Sequence, residues 1–442
     1  MRIDLGFPAE WGHPRSQDQI EKKEKGDGLR KKIFCLSTMF LVFFLFGSLP
    51  YTSAQSQGPI RVGFLAPLSG GLAQNGKDML DGFQLYLEEI SNQMEGRKVE
   101  FIPEDTEGQP ARTLTKARKL VENDKVHILV GPLLASSGYA LLPYVNQQKI
   151  PNLMPITSAD DLTQRKVSEY IIRTGWTSSQ PSHPFGEWVY KTLGYKRIAA
   201  IGLDYSFGWE ALDGFQRTFE ESGGKIVQKL WTPFTVQDFS PYLAQIPKDA
   251  DAVFANFGGK YTIQFVKQYQ DFGLKGKIPL IGTGILTDEH ALPSMGDEAL
   301  GIISALHYSA AIDTPENKSF VKAYRAKYQK PPSYFSEGCY TSGRWLSAAV
   351  KAVRGNVEDR RKFLEALKKV EMKTAPRGPM IIDSYGNPVQ NIYIRKVGRV
   401  GGELQNSIIH TFIHTFPNVS QFWKYKPEEY MQKPFYGREY PP

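Results

Sequence analysis

The chain has 442 residues, 41% hydrophobic and 23% charged, a composition that excludes wholesale disorder and leaves room for two domains of ordinary size. Its net charge is +8, but residues 1–54 hold eight Lys and Arg against six Asp and Glu, and the remainder is an interspersed 46 against 40. No basic arm or block stands out beyond the N-terminal one, so no nucleic-acid partner is expected. Cys35 and Cys339 are the two cysteines; they are too few for a Cys-cluster metal site, and Cys339 reads as a small core residue.

Near the N-terminus, Arg30-Lys31-Lys32 leads into the apolar run Ile33–Phe46, then Gly47–Pro50 and the small residues Thr52-Ser53-Ala54. That is the order of a secretory signal peptide, and the apolar core is shorter than the roughly 20 residues a spanning helix needs. A periplasmic location after cleavage is expected, with a retained anchor as the alternative. Cys35 begins the apolar run rather than ending it, which does not suit a lipidated cysteine. Residues 1–28 are polar and unlike any signal peptide, so translation is expected to start at Leu29, with 29–54 as the signal and 1–28 untranslated or disordered.

From Ile60 the chain alternates short β-branched runs with amphipathic stretches. Ile60–Leu65 reads as a buried strand, and Met79, Leu80, Phe83, Leu87 and Ile90 recur at helical spacing. A strand over 99–102, a helix over 110–122, a strand over 127–130, a helix over 136–147 and a strand near 152–154 follow. After Arg173 the pattern restarts: strand 197–202, helix 208–221, strands 225–230 and 251–255, helix 261–271, strands 278–282 and 301–306. Strands separated by helices imply right-handed βαβ units, so the fold class is α/β with two doubly wound parallel-sheet lobes. Helices at 317–329, 340–353 and 358–369, then strands at 379–383 and 391–397, imply that the chain revisits each lobe. The Tyr-, Trp- and Pro-rich tail 420–442 is expected to wrap a lobe as irregular chain.

Catalytic groupings are missing. Gly71 to Gly76-Lys77 has phosphate-loop spacing, but Asp78 stands where a magnesium-binding hydroxyl is needed. No dinucleotide fingerprint or nucleophile elbow occurs, and His410 and His414 lack the glutamate of a zinc-protease helix. Asp160-Asp161 reads as a helix cap before Leu162. Neither enzyme activity, a cofactor nor a metal is expected.

The run Ile60–Gly82, with Val130-Gly131-Pro132, Asp204-Tyr205-Ser206-Phe207-Gly208 and Ala299-Leu300-Gly301 in the same order, resembles the type I periplasmic binding proteins. The resemblance spans residues 59–442 and is to the leucine/isoleucine/valine-binding receptors of ABC transporters. It implies two lobes joined by three hinge crossovers, a cleft that closes on a small carboxylate, a membrane permease as partner, and a monomer. Lobe 1 would comprise 59–175 plus 312–373 and lobe 2 would comprise 176–311 plus 374–442.

Carried over residue by residue, the resemblance implies that the loop Ala135-Ser136-Ser137 at a helix N-terminus holds the carboxylate. Ser136 or Ser137 could equally be a plain cap, and the physics of a helix N-terminus favours an anion in either case. Ile156 and Ser158 match the next contact loop. Asn75, Phe207 and the neighbourhood of Phe257 match aromatic walls, with Trp176 and Tyr205 close by in sequence. Amino-acid binders of the family carry a glutamate at the position of Gly284, which pairs with the ligand ammonium. Glycine cannot do this, so the expected ligand is an amine-free acid. The segments Arg173–Pro181 and Asn387–Tyr393 resemble a branch associated with aromatic-acid uptake. An amino-acid or amide receptor, or a sensor on the same fold, remains the alternative.

Overall fold

In the computed structural model the described residues are 58–413, 424–433 and 438, and they belong to one unit. The expected signal peptide, Cys35 and His414 lie outside the described residues.

The first sheet is built from β1 (Ile60–Ala66), β2 (Gln93–Met94), β3 (Arg97–Asp105), β4 (Ile128–Val130), β5 (Asn152–Leu153) and β6 (Ile171–Ile172), in the order β2-β3-β1-β4-β5-β6. All its pairings are parallel except β2 with β3. Its helices are α1 (Ala73–Glu89), α2 (Pro110–Arg118) and α3 (Ala135–Gln148). Met79, Phe83 and Leu87, the helical stripe read from the sequence, are buried on α1 against Phe64 and Phe101. β1 is buried along almost its whole length, as expected of a strand covered on both faces.

The chain then enters a second sheet through α4 (Ser182–Trp188), β7 (Arg197–Leu203), α5 (Ser206–Glu221), β8 (Lys225–Thr232), β9 (Ala252–Asn256), α6 (Lys260–Asp271), β10 (Leu280–Thr283) and β11 (Ile303–Leu306). Successive residues of one strand feed two different cores: Ala199 and Ile201 pack with Val253 and Ala255, whereas Ile198 and Ala200 pack with Ala252 and Phe254. This period-two partition is what a sheet covered on both faces requires.

From β11 the chain returns to the first lobe as α7 (Pro315–Tyr328), α8 (Tyr334–Ala352) and α9 (Arg360–Lys368). Trp345, Leu346 and Phe363 from these helices join Phe64 and Phe83 in one core. A small ribbon, β12 (Ile381–Ile382) with β13 (Pro388–Val389), then leads back to β14 (Ile392–Val400) and β15 (Glu403–Phe412). These two strands complete a seven-stranded sheet of order β15-β14-β11-β10-β9-β7-β8. The architecture is thus two doubly wound lobes traversed alternately, with three passages between them.

Three local expectations are corrected. α8 starts at Tyr334, six residues earlier than the periodicity indicated, because Ser333 caps it by accepting from the Ser336 N–H at 3.3 Å. β15 was not read from the sequence; it is an antiparallel partner of β14 across a turn at Gly401 and Gly402, whose φ values of 58° and 88° favour glycine. The tail holds a short helix, α10 (Pro427–Gln432), whose Tyr430 is buried against His183.

Candidate ligand-binding site

The loops that leave the carboxyl ends of both sheets' strands converge on one narrow cleft pocket. Leu72 and Asn75 follow β1, Leu133–Ala135 follow β4, Ile156 and Ser158 follow β5, and Trp176 follows β6. From the second lobe come Tyr205 and Phe207 after β7, Gly258 and Gly259 after β9, and Ile285 after β10. Tyr334 and Phe335 at the start of α8 close it. The carboxyl edge of parallel sheets is where α/β folds place ligands, since strand ends and helix starts expose unpaired backbone there.

Buried arginines fix the loops. Arg173 is fully buried and donates to the carbonyls of Thr157 at 2.7 Å, Trp176 at 3.1 Å and Ala159 at 2.6 Å. Trp176 in turn donates its indole N–H to the Ile156 carbonyl at 3.0 Å, which fixes the orientation of its ring. Arg377 pairs with Glu337, both wholly buried, and donates to the Gly175 carbonyl at 3.1 Å. Arg395 donates to the carbonyls of Gly284 at 2.6 Å and Tyr308 at 2.8 Å. A planar guanidinium can satisfy several carbonyls at once, which suits a region where the chain turns without regular ladders. Their positioning role escaped the sequence reading, although Arg173 opens the Arg173–Pro181 segment noted there.

The aromatic wall is contiguous. Trp176 meets Phe207 edge-on with centroids 5.5 Å apart, and Phe207 lies 5.9 Å from Tyr205. Burial raises the phenol groups of Tyr205 and Tyr334 above their ordinary range, so both remain neutral O–H groups. Behind Trp176, burial and the charges of Arg377 and Arg395 hold His307 well below the usual imidazole range, leaving it neutral. Among the described residues, none that lines the cavity carries a charged side chain.

An anion nevertheless has a place. α3 begins at Ala135 with Leu134 as its cap residue, and no side chain caps the first turn. Leu134 and Ala135 at its amino end line the cavity, and the helix dipole favours negative charge there. Ser158 stands alongside, its hydroxyl 2.9 Å from that of Ser178.

The cavity thus gathers Asn75, Ala135, Ile156, Ser158, Trp176, Tyr205 and Phe207 from the sequence expectations. It leaves out four others. Ser137 is buried and accepts from Thr113 at 3.1 Å, and Ser136 is half-buried on α3 without lining the cavity; neither caps the helix. Phe257 is a core residue between Phe239 and Phe265, and the adjacent Gly258 and Gly259 meet the cavity instead. Gly284 packs on β11, where a Cβ would fall 2.4 Å from the Leu306 Cβ and 2.8 Å from the Ala305 oxygen. The neighbouring Ile285 supplies the wall. Leu72, Tyr334 and Phe335 were missed. Asp160 does not cap a helix either; its carboxyl is buried, accepts from the Ser179 N–H at 3.2 Å, and lies beside Glu210.

Across the cleft the lobes touch. Gly259, at φ +59°, comes so close to the first lobe that a Cβ would lie 2.9 Å from the Gly71 oxygen and 3.0 Å from Asn75 Oδ1. Glu210 on α5 reaches between Tyr139 on α3, which donates to one carboxylate oxygen, and Ser178, which donates to the other at 2.7 Å.

Two α/β lobes around an interlobe cavity without catalytic groups define a binding protein. The periplasmic binding protein family model matches residues 59–402, and the chain belongs to that family, in its leucine/isoleucine/valine-binding type. It is 33% identical to Leu/Ile/Val-binding protein homolog 6 of Brucella melitensis over 85% of this chain and 96% of that one. Among solved structures, it matches an ABC transporter substrate-binding protein from Sphaerobacter thermophilus at 37% identity and TM-score 0.76, covering 80% of this chain and 98% of the other. A solute-binding protein of an ABC transporter from Rhodopseudomonas palustris, in complex with 3,4-dihydroxybenzoic acid, matches at 35% identity and TM-score 0.77, covering 81% and 98%. The chain is accordingly a substrate-binding protein of an ABC transporter, with a small-molecule ligand and a permease partner, and its relatives are receptors rather than enzymes.

Proposed function

We propose that this receptor captures a small amine-free carboxylate, an aromatic acid, and presents it to its permease after export to the periplasm by a signal peptide within residues 29–54. The observation that carries the reading is the cavity wall: aromatic and aliphatic side chains, neutral polar groups, an uncapped helix start, and no acidic side chain. An ammonium enclosed here would lose its water without gaining a carboxylate, at a cost of several kcal/mol. Gly284 supports the same conclusion, because Leu306 fills the space that a longer side chain would need. A flat ring would lie against Trp176, Phe207 and Phe335, with its carboxylate towards Ala135 and Ser158. The related R. palustris protein bound to a dihydroxybenzoic acid is consistent with this class.

The ligand would bind first to the Ser158 and α3 side and draw Tyr205, Phe207 and Gly259 over it, with the monomer closing about its hinges. A thermal-shift panel tests the reading. Benzoate-type acids should raise the melting temperature and leucine or valine should not; the reverse pattern would reject it.

A further inference from the structure

Asn75 carries information about the ligand that the anion site does not. It sits in the first turn of α1, 1% exposed, and lines the cavity. Both its Nδ2 and its Oδ1 are buried without a hydrogen-bond partner among the described residues. A buried amide left unmatched at both ends is costly, and such groups are ordinarily satisfied in the working state of a protein. The surrounding wall is apolar on the Leu72, Leu133 and Leu134 side, while Gly259 of the opposite lobe brings bare backbone against the amide oxygen.

The chemistry of the missing partner follows from the amide itself. A carboxylate only accepts, so it could satisfy Nδ2 and would leave Oδ1 unmatched. An ammonium only donates, so it would do the opposite. A hydroxyl does both. We propose, resting on the aromatic-acid reading above, that Asn75 is a specificity-determining residue that selects acids bearing a ring hydroxyl, donating to that oxygen through Nδ2 and accepting its proton at Oδ1. The carboxylate and the hydroxyl then occupy separate parts of the cavity, one at the α3 start and the other at the α1 start.

A site built to hydrogen-bond a ligand hydroxyl discriminates strongly against the analogue that lacks it, because its own polar groups are stranded. The measurement is isothermal titration of benzoate and the three monohydroxybenzoates against the wild type, Asn75→Leu and Asn75→Ser, with thermal melts confirming that each variant is folded. The expected result is that one hydroxybenzoate binds the wild type at least about 10-fold tighter than benzoate. In Asn75→Leu that ratio should fall towards one, and Asn75→Ser, which keeps one small donor–acceptor group, should restore part of it. Benzoate binding the wild type as tightly as every hydroxy acid would overturn the assignment, as would a preference that survives Asn75→Leu. Should leucine bind and none of the acids do so, the failure lies in the ligand class, and the role of Asn75 falls with it.

Discussion

Replacing Gly259 by alanine separates backbone strain from lobe closure. Gly259 lies at φ +59° and ψ −141°, a region that is essentially glycine-only and costs other residues about 1–3 kcal/mol. That strain acts whether or not the lobes meet, so it should appear as lost stability of the unliganded protein. The added Cβ would also lie 2.9 Å from the Gly71 oxygen and 3.0 Å from both Asn75 Oδ1 and Leu72 Cδ2. Those atoms belong to the other lobe, so the overlap exists only when the cleft is shut. Overpacking of this kind costs about 1–3 kcal/mol, which corresponds to a Kd weakened by about 5- to 150-fold. Titration calorimetry with an aromatic acid gives the affinity, urea denaturation gives the stability, and small-angle scattering reports closure. If Gly259→Ala lowers stability yet binds as tightly as the wild type, the contact between residues 71–75 and 259 is no part of the ligand-bound form.

Other consequences follow from the buried charges and the packed glycine. Burial raises the Glu210 carboxyl from 4.5 to about 7 and pushes neighbouring Asp160 in the same direction. Protons held by the folded state mean that this contribution is complete below about pH 4.5 and is lost as pH rises through about 7, by at most about 3 kcal/mol. Urea denaturation should therefore show a larger loss between pH 5 and pH 8 in the wild type than in Glu210→Gln; equal losses would refute the assignment. Glu337→Gln leaves Arg377 buried without its counter-charge and should cost about 3–5 kcal/mol of unfolding free energy, a value near zero being the contrary result. Gly284→Ala should destabilise by about 1–3 kcal/mol through its collision with Leu306, and Gly284→Glu should not create leucine binding; tight leucine binding by that variant would show that the position does face the ligand.

Much of the fold was legible because its strands are apolar on both faces and its helices bury regular stripes, such as Met79, Phe83 and Leu87 on α1. Two helix starts were not. α1 begins at Ala73 and α8 at Tyr334, and these first turns carry Asn75, Tyr334 and Phe335, whose side chains answer to the cavity rather than to a core stripe. The same reason accounts for the site. Phe207 was placed through the family resemblance, and Trp176 and Tyr205 through their nearness to it in sequence. Tyr334 and Phe335 enter the cleft from a later passage of the chain, which no local spacing reveals. Phe257 lies away from the cavity for a local reason: a residue one step past β9 still obeys the alternation of the strand and turns into the core. The arginines that hold the loops act on backbone carbonyls, which leave no signature in the residues they bind.

The central claim is that the cavity favours a carboxylate and offers an ammonium no counter-charge. The most direct measurement is calorimetric titration with matched pairs that differ only in an α-amino group, phenylacetate against phenylglycine and phenylpropanoate against phenylalanine. In each pair the amine-free acid should bind and its amino counterpart should be weaker by at least about 100-fold, the equivalent of nearly 3 kcal/mol. An amino acid that binds as tightly as its amine-free partner, or more tightly, would contradict the claim.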